Sequence, residues 1–139
     1  MQRAPSDVRR LSLLSLDGGG IRGLSSLRIL QQMMEFINPD SPPKPCEFFD
    51  MICGTSTGGL IAIMLGRLQM TVTECMDEYK SLSTKIFTKC RHRFTWRGQI
   101  QGRFDHNTLE EGIRDLLRRR GLTEDELLKD PTGSAGCKT

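Results

Sequence analysis

The sequence has little of what most metal, disulfide and membrane-spanning proteins need. Five cysteines stand in 139 residues: Cys46, Cys53, Cys75, Cys90 and Cys137. They are odd in number, scattered and never spaced C-x-x-C, which argues against zinc and against a disulfide framework and suits a reducing compartment. No apolar run approaches the roughly 20 residues that cross a bilayer. The start, Met1 to Arg10, is polar, and the apolar segment after it is too short for a signal peptide. The expected setting is therefore intracellular, either cytoplasmic or peripheral at a membrane. Charge of one sign is also scarce: 20 basic against 17 acidic residues leave a net +3, which does not demand nucleic acid, and no such partner is expected. Only two histidines occur, His92 and His106, and neither follows a convincing strand. The hydrophobic share is 37%, and two convincing strands are too few for a parallel sheet, which is normally covered on both faces. The chain reads as a piece of a larger domain, with residues 1–10 a flexible lead and residues 11–139 the N-terminal portion of that domain.

What is present is a pair of strand–glycine–helix junctions. Phe48 to Cys53 reads as a strand, followed by Gly54-Thr55-Ser56-Thr57-Gly58-Gly59 and then by the apolar run Leu60 to Leu65. Gly54-x-Ser56-x-Gly58 fits G-x-S-x-G, the nucleophile elbow, in which a sharp turn brings backbone segments together and the flanking positions need glycine. A serine at that apex lies close to a helix N-terminus, where free N–H groups favour developing negative charge. The plainer reading is a Gly/Ser/Thr turn that caps a helix. The other junction begins with Leu11 to Leu16, read as a strand covered on both faces, and runs into Asp17-Gly18-Gly19-Gly20-Ile21-Arg22-Gly23. Three glycines without Cβ let backbone N–H groups face an anion, as an oxyanion hole requires. Two such junctions place nucleophile and hole at the same end of a parallel sheet.

These residues resemble the N-terminal part of a patatin-like phospholipase domain. The family's glycine element, D-G-G-G-x-R/K-G, is matched by Asp17 to Gly23, and its elbow by Gly54 to Gly58; the likeness covers about residues 10–139. It implies an α/β fold, a three-layer α/β/α arrangement with a mainly parallel sheet, of which this chain is an incomplete part. It implies a lipid acyl hydrolase acting on phospholipid or another acyl lipid. By resemblance Ser56 is the nucleophile, and the amides of Gly18, Gly19 and Gly20 form the oxyanion hole. Asp17, Arg22, Gly23, Gly54 and Gly58 support the motifs, with Arg22 either holding the glycine loop or meeting a lipid phosphate. No metal or other cofactor is expected. The family's Ser-Asp dyad takes its aspartate from a later D-G-G/A motif. The D-G-G here, Asp17 to Gly19, is already the oxyanion element, so the base is expected beyond Thr139 and the 139 residues alone are expected to be inactive.

Two rival classes stay open. Gly18-x-Gly20-x-x-Gly23 also fits the dinucleotide fingerprint, but Asp40 and Asp50 are misplaced for its ribose-binding acid. A truncated, catalytically dead relative that binds lipid or a partner protein is the other. Elsewhere, Leu24, Leu27, Leu30 and Met34, with Ile29 and Met33 beside them, predict a helix to about Ile37. The prolines from Pro39 to Pro45 predict an exposed connection without helix. Helices are expected from Thr57 to Leu68, from Val72 to Phe87 behind a Thr71/Glu74 capping box, and from an Asp105 or Asn107 cap to Arg120. The stripe Met76, Tyr79, Leu82, Ile86 reads as core. A short helix is expected from Thr123 and a further strand at Cys137 to Thr139. Residues 88–104 are basic and carry no acid; Arg91, Arg93, Trp96 and Arg97 are the candidate membrane contact, since basic residues and tryptophan suit an anionic interface.

Overall fold

The computed structural model describes residues 10–90, 106–125, 128 and 136–139. The lead and the basic segment with Arg91, Arg93, Trp96 and Arg97 lie outside the described residues. Strand β1 (Leu13–Leu16) pairs in parallel with β2 (Met51–Gly54), Leu13 opposite Met51 and Leu16 opposite Gly54. Between them a 3-10 turn (Gly20–Arg22) leads into helix α1 (Gly23–Ile37), and α2 (Pro45–Phe48) precedes β2. Helix α3 (Thr57–Ala62) continues as a π-helical turn (Ile63–Arg67), followed by α4 (Val72–Cys90) and α5 (His106–Arg119).

Both strands are shorter than expected. Leu11 and Ser12 precede the ladder, with the Ser12 N–H held by Asp50 Oδ2 at 2.9 Å. Phe48 belongs to α2 instead of β2, which corrects two expectations at once. Pro45 sits at the first position of that helical turn, where a missing N–H costs nothing, and is buried. Glu47 reaches back to the Lys44 N–H at 3.0 Å. The proline-rich stretch thus stays exposed only up to its last proline. Asn38 stops α1 by turning extended, and its Oδ1 accepts from Asp40 and Ser41.

The core lies on one side of the sheet. Leu16 and Ile52 point into it with Leu27, Leu30 and Met34 of α1, Ile61 of α3 and Met64 and Leu65 of the π turn. Each such side chain contributes about 1.5–3 kcal/mol on burial. The opposite faces of the strands, Leu13 (62% exposed) and Met51 (40%), are uncovered among the described residues. When successive right-handed crossovers advance in one direction, their helices pack on the same face. Along α1 the 3.6-residue period holds for Leu27, Leu30 and Met34, while Ile29, Met33 and Phe36 are exposed.

The strand expected near the last residues begins where expected. Lys138 bridges Met51 in parallel on the free side of β2, accepting from the Ile52 N–H at 2.8 Å and donating to the Asp50 carbonyl at 2.9 Å. Helix α4 opens on the predicted capping box: Glu74 Oε2 takes the Thr71 N–H at 2.8 Å, and Thr71 Oγ1 takes the Glu74 N–H at 3.2 Å. It runs to Cys90, past the expected Phe87. Cys75 in its inner face is buried, and burial pushes its thiol up to about 12, an inert packing residue. Helix α5 lies on α4, with Gly112 against Leu82 and Leu116 buried. Arg119–Glu78 and Lys85–Asp115 join the two at their rims, and such exposed pairs contribute at most about 1 kcal/mol each. Gly121, at φ +70°, ends the helix. Most of the helix expected from Thr123 lies outside the described residues.

Candidate active site

Ser56 stands between β2 and α3 with φ 52° and ψ −126°. A non-glycine residue there stores about 1–3 kcal/mol of strain, held by the packing of the two glycines beside it. A Cβ on Gly54 would fall on the Gly58 backbone, and one on Gly58 would fall on the Leu16 carbonyl at the end of β1. Both motif glycines are therefore required by close approach, Gly58 across to the neighbouring strand. The Thr55 N–H also binds the Leu16 carbonyl, at 3.1 Å, so the elbow is fastened to the strand that carries the glycine loop.

The loop lies against the serine as the motif order predicts. A Cβ on Gly18 would come within 2.9 Å of Ser56 Cβ and 3.6 Å of its Oγ. Gly19 (φ 155°) and Gly20 (φ 57°) hold conformations open mainly to glycine. Their two N–H groups converge on one atom, Thr57 Oγ1, at 3.2 Å each. The Arg22 backbone N–H and its Nε both donate to the Gly19 carbonyl, at 3.3 and 3.4 Å, so this side chain folds over the loop itself. Asp17 is exposed at the loop's start, with its carbonyl oxygen against Gly58.

Gly23, first residue of α1, makes room for a residue that the sequence assigned only to the core. A Cβ there would meet Tyr79 Oη at 2.8 Å. Tyr79 is buried, and its hydroxyl donates to the Gly20 carbonyl at 2.6 Å. The available signal was chemical: a tyrosine in an otherwise apolar stripe needs a partner for its hydroxyl. Sequence reasoning offered the Thr57 backbone N–H as a further oxyanion donor but missed its side chain, since nothing in its helical position tells where that goes.

A cavity of about 670 Å³ opens beside the serine. Ser56 and Thr57 stand on its wall, and Leu60, Ile63, Tyr79, Leu82, Leu109 and Ile113 are among the side chains that line it. The size and apolar lining suit an extended hydrocarbon. Among the described residues no aspartate, glutamate or histidine belongs to the lining. His106 opens α5, and His92 lies outside the described residues. Among the described residues no group of three or more His, Cys, Asp or Glu could hold a metal ion, and no helix is long and apolar enough to cross a membrane.

Comparison with known proteins agrees with the motifs. The profile of the family described as "Patatin-like phospholipase" matches residues 14–133. The chain is 34% identical over 118 residues to a calcium-independent phospholipase A2-gamma of Mus musculus, covering 81% of this chain and 14% of that protein. It is 39% identical over 94 residues to phospholipase A I of Arabidopsis thaliana, covering 65% of this chain and 7% of that one. A patatin-like protein 2 of Oryza sativa subsp. indica is 38% identical over 139 residues, covering 86% and 34%. The chain thus spans between 7% and 34% of the length of these curated relatives. No solved structure matches.

Proposed function

The chain belongs to the patatin-like phospholipase family, and on that premise we propose that it carries the nucleophile and oxyanion elements of a lipid acyl hydrolase. The observation that bears most weight is the strained Ser56 on the wall of a large apolar cavity, with the glycine loop packed against it. Phospholipases among the relatives support an acyl-lipid substrate.

In this reading Ser56 Oγ attacks the ester carbonyl while its proton passes to a carboxylate base. The base is an aspartate of a later D-G-G/A motif outside these residues, completing a Ser-Asp dyad. The carbonyl π electrons move to oxygen, and the oxyanion is held by loop amides. Collapse breaks the bond to the alcohol, which leaves with the proton from the base. Water then attacks the acyl-enzyme with the same base taking its proton, and fatty acid departs. The apolar cavity takes the acyl chain, and such a substrate reaches it from a lipid surface by peripheral contact.

The test is fluorophosphonate labelling and ester turnover of the full-length protein and its Ser56→Ala variant. Labelling and turnover that vanish in Ser56→Ala support the reading. An unreactive full-length protein that still binds lipid vesicles would replace it with the catalytically dead, lipid-binding alternative.

A further inference from the structure

The oxyanion-hole amides of this protein are not bare. Gly19 and Gly20 both give their N–H to Thr57 Oγ1, and the next peptide is gripped from the other side by Tyr79 Oη on the Gly20 carbonyl at 2.6 Å. A loop of three consecutive glycines has no side chains of its own to fix it and loses the most conformational entropy on ordering. Arg22 holds the Gly19 carbonyl from within the loop, and the side-chain bonds that tie the loop to the helices come from Thr57 on α3 and Tyr79 on α4. We propose that Thr57 and Tyr79 are positioning residues of the oxyanion hole, holding the Gly19 and Gly20 N–H groups on a single point where an oxygen sits. The proposal rests on the reading of Ser56 as nucleophile.

Three features carry it. An oxyanion hole is two or more N–H groups aimed at one oxygen, and the two distances to Thr57 Oγ1 are equal. Thr57 is the residue next to the nucleophile, so whatever fixes the loop to Thr57 fixes it to Ser56. Tyr79 is buried and is admitted to the loop by the absent Cβ of Gly23, an approach that any other residue at position 23 would close. Neither side chain touches the reacting bond. Each acts through the loop, by setting where the donors are before the substrate arrives.

The experiment uses the full-length protein with Thr57→Val, Thr57→Ser and Tyr79→Phe. Valine keeps the shape and branching of threonine and removes the acceptor; serine restores it. Hydrogen exchange at the Gly19 and Gly20 amides is read alongside turnover of a long-chain acyl ester and fluorophosphonate labelling. Both amides should exchange faster in Thr57→Val and stay protected in Thr57→Ser. kcat should fall about ten- to a hundredfold in Thr57→Val and Tyr79→Phe, as expected for donors misplaced by up to about 1 Å. KM should change by less than about threefold, because valine and phenylalanine keep the shape of the cavity wall that Thr57 and Tyr79 help to form. Thr57→Ser should recover most of kcat. A merely structural role would lower Tm without this split between kcat and KM. Unchanged exchange in Thr57→Val, or turnover equal to or above that of the parent, overturns the proposal alone; faster turnover would mean that the hydroxyl only blocks the hole. A parent protein that labels equally well without Ser56, or that does not label at all, overturns the Ser56 reading and the catalytic part of this proposal with it.

Discussion

Gly58→Ala is the substitution whose outcome the elbow geometry fixes most tightly. The added Cβ would fall on the Leu16 carbonyl and lie 2.7 Å from the Asp17 carbonyl oxygen. Ordinary contact begins near 3.4 Å, so the Asp17 contact alone asks for a shift of roughly 0.7 Å (3.4 − 2.7), and the Leu16 contact asks for more. Both neighbours are backbone, and no rotamer can relieve them. Overpacking of this kind costs about 1–3 kcal/mol, at the upper end here because strand β1 must move. Against it, alanine in a helix is favoured over glycine by about 0.8–1 kcal/mol. The net expectation is a loss of about 2 kcal/mol, or about 8 °C in Tm for a unit near this size. The same shift separates the elbow from the glycine loop by up to about 1 Å, which lowers kcat about a hundredfold. Thermal unfolding and ester turnover of the full-length protein measure both. Gly59→Ala is the control, because its Cβ meets nothing nearer than the Gly54 carbonyl oxygen at 3.2 Å, a contact relieved by a few tenths of an ångström. If Gly58→Ala matches Gly59→Ala in Tm and turnover, the close packing of elbow on strand is not what holds this site.

Two further outcomes follow from the same geometry. Leu109→Trp, on the α5 wall of the cavity, should shift preference toward shorter acyl esters, raising KM for long chains several-fold while leaving kcat for short ones near the parent value, as read from a chain-length series. Glu74→Ala should lose about 0.5–1 kcal/mol at neutral pH by breaking the cap of α4. Hydrogen bonding from the Thr71 N–H holds the Glu74 carboxyl below its ordinary 4.5. A depressed folded value stabilises the protein above the unfolded one, so the difference in Tm between parent and variant should close as pH falls below 4.5 and through the lower folded value.

The parts of this site that come from local chemistry were legible in the sequence. Glycine spacing located the elbow and the loop, because only glycine tolerates the approaches made by Gly54 and Gly58 and the φ values of Gly19 and Gly20. The capping box at Thr71 and Glu74 marked the start of α4 for the same local reason. Phe48 misled because an aromatic at the edge of an apolar run suits a strand as well as a helical turn; Pro45 with Glu47 two residues on was the signal that decides it. The π turn at Ile63–Arg67 left no trace in composition. The side-chain contacts of Thr57 and Tyr79 were invisible because they span 37 to 59 positions of chain, and a helical stripe records only which side faces inward. The side on which the described helices pack followed from topology, which local pattern does not encode.

The pairing of Leu16 with Gly54 has a consequence for how this site tolerates sequence drift. Ser56 and the glycine loop leave the sheet at the ends of two adjacent strands, so their separation begins from the interstrand spacing of about 4.8 Å. That length belongs to the peptide group and is the same whatever side chains the strands carry. Leu13, Leu14, Met51 and Ile52 can be exchanged for other apolar residues without altering this interstrand spacing, across which Ser56 faces the glycine loop. A slip of two residues in pairing would move the elbow by about 6.6 Å, and no side chain could restore the contact. The distance from Ser56 to the glycine loop is thus inherited from the backbone, and the side chains that can alter it reduce to the few that the glycines make room for.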